Sequence, residues 1–406
     1  MKNLDKITII SQKDKRGGYV LKSYKIEIKP TEEQINKINQ TIGVCRFIYN
    51  FYIAHNQEIY KNEGSFVSGM TFSKWLNNYF IPNNQDYLWI KDVSSKAVKQ
   101  LIMNGEKAFK KFFKKEAGFP KFKKKNKSNI GIYFPKNNKT DFTVERHRLK
   151  VPTLGFVRLK EYGYLSVNSI VKSGTITKKC DRYYISVLVE EELKENNRPY
   201  SDGIGVDLGI KEFASISDER VFKNINKTHK IKKLKKYLKR QQRKLSRKYE
   251  SLKKQNKLKG GIATRRNIQK QMLKVQKLHN RLDNIRTDYL NKIINGLVKT
   301  KPEFINIEDL NVKGMMKNRH LSKAISEQKF YEFRYKLINK CHQNNIEVRL
   351  SNRFYASSKT CSQCGNIKHS LNLSDRVYVC SKCGLIIDRD LNASINLRDN
   401  KIYKIA

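Results

Sequence analysis

Four cysteines in the last fifty residues constrain the fold more than any other feature of this sequence. They form the pattern Cys361-x2-Cys364-x15-Cys380-x2-Cys383. Each C-x2-C turn can supply two sulfurs, and two such turns close a tetrahedron around Zn²⁺. A closed four-thiolate site has no open position for a substrate. We therefore predict a structural zinc ribbon, with redox or disulfide chemistry as the disfavoured alternative.

Acidic residues interrupt or follow three strongly apolar stretches. Asp207 lies in Ile-Gly-Val-Asp-Leu-Gly, where strand alternation turns it away from the apolar face and between two glycines. Glu308 ends the apolar stretch Phe-Ile-Asn-Ile, and Asp388 and Asp390 follow Ile-Ile directly after the cysteines. Burying a lone charge costs several kcal/mol. Strands of one sheet could instead bring these acids together around cations.

Carboxylate oxygens are the ligands that Mg²⁺ or Mn²⁺ prefers. Two such ions would activate water and stabilise the leaving oxygen in phosphodiester hydrolysis. Each acid alone has an ordinary structural interpretation: Asp207 in a turn, Glu308 as a cap of the next segment, and Asp390 as a helix N-cap. The acids taken together, on a chain that attracts polyanions, favour a nuclease site.

The charge balance of the chain indicates a nucleic-acid partner. Lys and Arg number 85 against 37 Asp and Glu, which gives a net charge of +48 and a pI near 10.0. Neutralising phosphates releases counterions and gives strong, salt-dependent binding. A solvated basic surface without a partner is the alternative.

The length and composition predict a folded protein of two or three domains. Hydrophobic residues make up 38% of the 406 residues, which is ordinary for a globular chain. The sequence lacks an apolar run of about 18 residues and an N-terminal signal peptide, so we expect a cytoplasmic protein. In a reducing compartment Cys45, Cys180 and Cys341 are expected to be core thiols.

The N-terminal half of the sequence predicts a β-module that contains a helical insertion. Residues 19–29 alternate as a strand, and Thr31 with Gln34 forms a capping box that begins a helix. Further helices are predicted at 71–80 and, from caps at Ser94 and Ser95, to about 115. Residues 130–190 read as short strands separated by turns at Asn137-Asn138 and Gly174, and with strand 19–29 they are expected to complete a barrel. The aromatics and lysines of residues 107–127 suit either a core or base stacking.

The C-terminal half predicts an α/β domain with a mixed sheet. It follows a polar boundary at residues 191–202. Its expected elements are two strands in residues 203–218, basic helices at 229–256 and 264–300, a strand at 303–307, a helix at 326–344, a strand at 346–352, and a helix that starts near Asp390. The two basic helices meet at Gly260-Gly261 and are expected to pack on each other.

The combination of these motifs resembles a known protein family. The stretches DLGIKEFASIS, INIEDLNVKGMMKNRHLSKAIS, SSKTCSQCG…CSKCG and DRDLNASINL closely resemble the RuvC-like, RNase H-fold nuclease domain of transposon-encoded TnpB proteins, relatives of the compact type V CRISPR effectors. KPTEEQINKINQTIGVCRFIYNFYI and AGFPKFKKK resemble the N-terminal part of that family. The resemblance covers essentially the whole chain.

The resemblance implies an RNA-guided DNA endonuclease that cuts both strands at one RuvC site. It implies Asp207, Glu308 and Asp390 as the magnesium-binding catalytic acids, with Asp388 the competing third acid, and the four cysteines as zinc ligands. The implied partners are a guide RNA from the transposon end and a double-stranded DNA target beside a short motif, with a monomer favoured. The implied domains are a wedge-like β-barrel module (1–30 and 119–195), a helical recognition insertion (31–118), a RuvC-like domain (196–357 and 385–406) and a zinc ribbon (358–384).

Two local features refine the resemblance. Residues 317–325 look like the mobile lid of the family. Lys329-Phe330 departs from a tryptophan found in many relatives, and we expect altered packing there without loss of activity.

Three other functions remain open from the sequence. A nuclease-inactive, RNA-guided repressor would usually lack one of the acids, and all three positions are filled here. A compact type V CRISPR effector with a repeat-derived guide differs only in its genomic neighbourhood. A DNA-strand transferase would need a tyrosine-nucleophile or His-hydrophobic-His signature, which the sequence lacks.

Overall fold

The computed structural model describes residues 19–125, 130–138, 141–167, 169–192, 201–258, 265–372 and 374–406. The chain divides into two compact units, Met1–Leu193 and Lys194–Ala406. Over the described ranges, no helix is long and apolar enough to cross a membrane.

The first unit contains a six-stranded antiparallel sheet. Its strands are β1 (Tyr19–Lys29), β2 (Ile132–Pro135), β3 (Arg148–Val151), β4 (Gly155–Leu159), β5 (Ile170–Lys179) and β6 (Arg182–Glu192). They run in the order β2-β5-β6-β1-β4-β3. The predicted strand at 19–29 is therefore confirmed, and it lies inside the sheet between β6 and β4. Closure of this sheet into a barrel stays a prediction.

The helices of the first unit lie between β1 and β2 in the sequence. They are α1 (Glu32–Glu63), α2 (Gly69–Trp75), α3 (Ile81–Asn83) and α4 (Ser95–Phe113), with a π-helical segment at Leu76–Phe80 and a 3-10 segment at Gln85–Asp92. The predicted capping box of Thr31 and Gln34 is present at the start of α1. Ser94 is the N-cap of α4, but its hydroxyl makes no capping hydrogen bond, contrary to the sequence prediction.

Gly174 does not form the turn that the sequence predicted. It lies within β5, where it pairs with Val187, and the reversal comes at Cys180, whose φ is 59°. A Cβ at position 174 would lie 2.9 Å from the ring of Phe142. The glycine therefore makes room for an aromatic side chain on the sheet, a contact that local sequence does not reveal. The predicted turn at Asn137-Asn138 is present, because both backbone N–H groups donate to Asp141.

Aromatic side chains of residues 107–125 pack largely on one another. Phe119 contacts the rings of Phe109 and Phe112, and Phe113 contacts Phe66. Phe109 is buried, which agrees with the core interpretation, whereas Phe113, Phe119 and Phe122 are exposed, so both interpretations stay open for those three rings.

The second unit is built on a six-stranded mixed sheet. Its strands are β7 (Ile204–Leu208), β8 (Glu212–Ile216), β9 (Val221–Lys223), β10 (Phe304–Glu308), β11 (Glu347–Ser351) and β14 (Tyr403–Ile405), in the order β14-β11-β10-β7-β8-β9. The three central strands β7, β10 and β11 are parallel. A separate hairpin, β12 (Val377–Val379) and β13 (Ile386–Asp388), carries the second cysteine pair in its turn. The mixed sheet agrees with the prediction, although β9 and β14 were not predicted.

The two long basic helices are α5 (His229–Leu258) and α6 (Arg266–Lys299), which follow a 3-10 turn at Ile225–Lys227. They pack through an apolar seam that includes Ile231, Leu238 and Leu278. This confirms the predicted pair, while Gly260-Gly261 lies outside the described residues.

The helix predicted at 326–344 is found over most of its length, but it is broken at Lys329. The structure has α7 (Val312–Met315), α8 (Ser322–Gln328) and α9 (Phe330–His342), and the last two are separated at Lys329. Lys329 has a left-handed φ of 58°, which a non-glycine residue rarely adopts. Its ammonium group is held 2.7 Å from Asp283 and 2.5 Å from Glu332. The long-range pair with Asp283 and the local pair with Glu332 help to fix a helix break that periodicity could not predict.

Candidate active site and metal centre

Asp207 and Glu308 lie at the carboxyl ends of neighbouring parallel strands. β7 and β10 pair Ile204 with Ile305 and Val206 with Ile307. These four side chains are buried in the core, so the acids that follow in the alternation face away from it. Asp207 lies within β7, opposite Ser215 of β8, and is therefore not in a turn.

Gly205 brings a helix against this face of the sheet. The helix α10 (Arg389–Asp399) packs on β7. A Cβ at Gly205 would lie 1.9 Å from the backbone oxygen of Ser394 and 2.5 Å from the nitrogen of Arg398. Glycine alone permits this approach. Asp390 lies one turn before Ser394 and Asp207 two residues after Gly205, so both acids fall at the same end of the contact.

Asp388, and not Asp390, caps α10. The carboxylate of Asp388 accepts hydrogen bonds from the backbone N–H groups of Asp390 and Leu391 at 2.9 and 3.0 Å. The N-cap interpretation considered for Asp390 therefore belongs to Asp388, which is exposed. The Asp390 carboxylate is partly buried and lies 3.8 Å from the guanidinium of Arg376.

The acids repel one another. Burial raises the pKa of Asp207 well above its ordinary value of 3.8, and the negative charges of Glu308 and Asp390 raise it further. Asp388 adds a smaller effect of the same sign, whereas Arg389 lowers this pKa. Burial also raises the pKa of Glu308, and a hydrogen bond from Ser357 opposes that rise. Bound cations would offset the cost of keeping these groups ionised together.

Neutral polar residues that the sequence reasoning missed fix this arrangement. Ser357 donates to the Glu308 carboxylate at 2.9 Å, and its backbone oxygen accepts from Asn396 of α10 at 2.8 Å. At the next residue of α10, Asn306 of β10 donates to the Leu397 oxygen at 2.7 Å and accepts from Ser351 at 3.0 Å. An asparagine inside the apolar stretch Phe-Ile-Asn-Ile was the available signal.

The four predicted zinc ligands form one cluster. Their sulfur atoms all lie within 4.8 Å of one another, and no other group of three or more His, Cys, Asp or Glu in the described part of the chain meets that limit. Cys361 lies 3.6 Å from Cys383, and Cys364 lies 3.6 Å from Cys380. A tetrahedron with Zn–S bonds of about 2.3 Å has edges of about 3.8 Å, whereas a disulfide needs about 2.05 Å. The cysteines are free thiols in a geometry that fits zinc.

The cysteine cluster is joined to the acidic site. β13 runs directly into α10, and Val377 pairs with Asp388 across the hairpin. Asn392 of α10 accepts from the backbone N–H of Ser362 and donates to the oxygen of Thr360, on either side of Cys361. The ribbon therefore anchors the first turns of α10, where Asp390 lies.

Three family models match the chain. A "Helix-turn-helix domain" matches residues 20–65, a "Probable transposase" domain of the IS605 OrfB type matches 184–319, and a "Cas12f1-like, TNB domain" matches 330–397.

Two relatives align over nearly the whole chain. The "Putative RNA-guided DNA endonuclease InsQ" of Escherichia coli (strain K12) is 30% identical over 392 residues, which cover 93% of this chain and 91% of the relative. A "Putative RNA-guided DNA endonuclease" of Streptomyces pristinaespiralis is 27% identical over 380 residues, covering 93% and 89%. A solved complex of Cas12f1 with sgRNA and target DNA has a TM-score of 0.61 at 13% identity, covering 95% of this chain and 100% of that chain, which indicates a shared fold.

Proposed function

Because this chain belongs to the TnpB family of IS605 OrfB type, we propose that it is an RNA-guided DNA endonuclease that hydrolyses both strands of its target at one site. The observation that carries the proposal is the meeting of Asp207, Glu308 and Asp390 at the carboxyl ends of β7 and β10. Burial, and then the negative charges of Glu308 and Asp390, raise the pKa of Asp207 there. Divalent cations would stabilise three carboxylates held so close together, and a polyanion would neutralise a net charge of +48.

The sheet of the second unit supports a RuvC-like, RNase H fold for residues 196–357 and 385–406. Three consecutive antiparallel strands, β7 to β9, are followed by the parallel strands β10 and β11 on the other side of β7. We assign residues 358–384 to an inserted zinc ribbon. We assign 1–30 and 119–195 to a wedge-like β-module, and 31–118 to a helical insertion that reads DNA.

We assign magnesium binding to Asp207, Glu308 and Asp390. When bound, a pair of Mg²⁺ ions activates the attacking water and stabilises the leaving oxygen. Because two ions would share these carboxylates, the three acids would not all need to meet around one ion. Asp207 is central among the acids, Ser357 orients Glu308, and Asp388 holds the start of α10 so that Asp390 faces the site.

The guide is proposed to be an RNA from the transposon end, bound by a single copy of the protein. Sequence reading is delegated to base pairing, so the protein needs to hold only the backbone and the shape of the duplex.

The test begins with the protein purified together with its RNA. Sequencing that RNA gives the guide, and double-stranded DNA that matches it is then incubated with the complex and Mg²⁺. Wild type should cut both strands, and Asp207→Ala should bind the target without cutting it. Absence of a defined RNA, or cleavage by Asp207→Ala, would overturn the proposal. RNA-guided binding without cleavage by wild type would identify a repressor instead.

A further inference from the structure

One aromatic side chain beside the candidate active site is almost fully exposed. Phe354 lies between β11 and the first cysteine pair, and 87% of its surface is accessible. No other large hydrophobic side chain in the described ranges exceeds this value; the next is Ile402 at 78%. The ring of Phe354 makes none of the aromatic or cation–ring contacts found among the described residues. Leaving such a ring in water forgoes about 1.5–3 kcal/mol of burial free energy, so its exposure needs an explanation.

The backbone that carries Phe354 is held in place. Its N–H donates to the side chain of Asn352 at 2.9 Å, and the N–H of Tyr355 donates to the Asn352 oxygen at 2.9 Å. The residues on either side are also fastened. Arg353 pairs with Asp309 at 3.2 Å, and the Tyr355 hydroxyl donates to the oxygen of Asn396 at 3.3 Å. The ring is therefore presented from a fixed turn.

That turn is part of the candidate site. Three residues beyond Phe354, Ser357 donates to the Glu308 carboxylate, and Asp309 directly follows Glu308. Phe354 thus stands within about three residue lengths, roughly 10 Å, of a proposed catalytic acid. A nucleotide spans a comparable distance, so a strand with its scissile phosphate at Glu308 can bring a neighbouring base to the ring.

The surroundings of Phe354 favour a nucleobase over a protein partner. Its exposed neighbours Asn352 and Arg353 are polar, whereas protein-docking surfaces are contiguous apolar patches. A flat π face cannot hold a phosphate, but it stacks on any base. We propose that Phe354 is a nucleobase-stacking residue that holds a base of the DNA strand engaged at Glu308, an inference that rests on the proposed function.

The test uses the RNA-loaded protein and target DNA carrying 2-aminopurine, whose fluorescence falls on stacking, at successive positions around the cleavage site. Bound DNA is read in Ca²⁺, which holds the complex before cleavage, and single-turnover cleavage is read in Mg²⁺. Wild type should quench at one or two positions of the DNA strand. Phe354→Ala should lose that quench and cleave about tenfold more slowly, with RNA content unchanged. Phe354→Trp should restore both readings.

Two further variants make the result specific. Phe354→Leu keeps the apolar area but not the flat ring, so it should behave like Phe354→Ala. Ile402→Ala removes the next most exposed large apolar side chain of the described ranges and should behave like wild type. Two results would overturn the stacking role while leaving the nuclease intact. One is wild-type cleavage together with an unchanged quench and rate in Phe354→Ala, and the other is a cleaving wild type that shows no quench at any labelled position of the DNA. A Phe354-dependent quench without any wild-type cleavage would instead overturn the proposed nuclease activity.

Discussion

At the scale of single residues, the three acids differ in how far the sequence could assign them. Asp207 and Glu308 follow from strand alternation, because each is the polar member of an otherwise apolar stretch. Asp390 and Asp388 could not be separated by spacing alone. In the structure the two acids differ in their backbone hydrogen bonds, because one carboxylate oxygen of Asp388 caps α10, and we therefore keep Asp390 as the proposed metal ligand.

The raised pKa of Asp207 predicts a stability that depends on pH. The unfolded chain ionises this group near its ordinary pKa of 3.8, whereas the folded chain retains the proton to higher pH. The folded state therefore loses stability as pH rises from about 4 towards the folded pKa. In Mg²⁺-free buffer, Asp207→Asn should raise Tm at about pH 8, and the gain should shrink towards about pH 4. Thermal unfolding monitored by circular dichroism checks this, and a gain that grows on acidification would contradict it.

The second prediction for a single residue concerns the contribution of Asn306 to the free energy of unfolding. Its side chain is fully buried and bonded to the Leu397 oxygen and the Ser351 hydroxyl. Asn306→Leu should destabilise the protein by about 1–3 kcal/mol, because it leaves those buried groups without partners. Urea unfolding measures the change. The double variant Asn306→Leu/Ser351→Ala should lose less than the sum of the two single changes, and full additivity would show that the pair is not coupled.

At the scale of elements, long-range contacts decide what the sequence could not predict. The strands and the basic helices followed from periodicity and apolar composition. The break at Lys329 depends on ion pairs with residues far away in sequence or across the break, and Gly174 lies in a strand because the ring of Phe142 covers it. β14 is only three residues long and gains its pairing from β11, so its own pattern was too short to detect.

Because α10 packs so closely on β7, adding one methyl group at Gly205 should strongly reduce both stability and cleavage. Gly205→Ala would place a Cβ 1.9 Å from the Ser394 oxygen, so α10 must move and carry Asp390 with it. We expect a lower Tm and at least a tenfold loss of cleavage, since about 1 Å of misplacement costs about that much or more. Gly296→Ala is the matched control, because a Cβ there meets nothing within 4 Å. In helix α6 it should preserve cleavage and stabilise by up to about 1 kcal/mol.

The ribbon predicts a coupling between zinc and cleavage. Atomic emission should find one zinc per chain in the wild type and much less in Cys361→Ser. Because β13 runs directly into α10, loss of zinc should also reduce cleavage, although the metal takes no part in the chemistry. Cys180→Ser, at a cysteine outside the cluster, should leave zinc content and cleavage unchanged. Full activity in a zinc-free protein would show that the ribbon does not position Asp390.

At the scale of the whole molecule, the net charge follows directly from composition, but the contacts within the protein do not account for it. Helix α5 carries fourteen Lys and Arg against one Glu. Its apolar seam faces α6, so the remaining charges surround the other faces of the helix. Within the described part of the chain, Lys235 of α5 pairs with Glu327. A polyanion lying along the helix would neutralise its unpaired charges and stabilise it.

This charge predicts how nucleic-acid affinity depends on salt. Lys232, Lys236 and Lys239 are exposed on one face of α5. Each phosphate contact to single-stranded nucleic acid contributes about 0.7 to the slope of log K against log salt. If all three lysines contact the guide, replacing them with Gln should reduce that slope by about 2 and weaken RNA binding most at low salt. Filter binding across a salt series measures it. The control replaces Lys313, Lys317 and Lys323, near α8, with Gln and so removes the same charge from another place. If the two triple variants have equal slopes, the effect comes from net charge and not from a contact between α5 and the RNA.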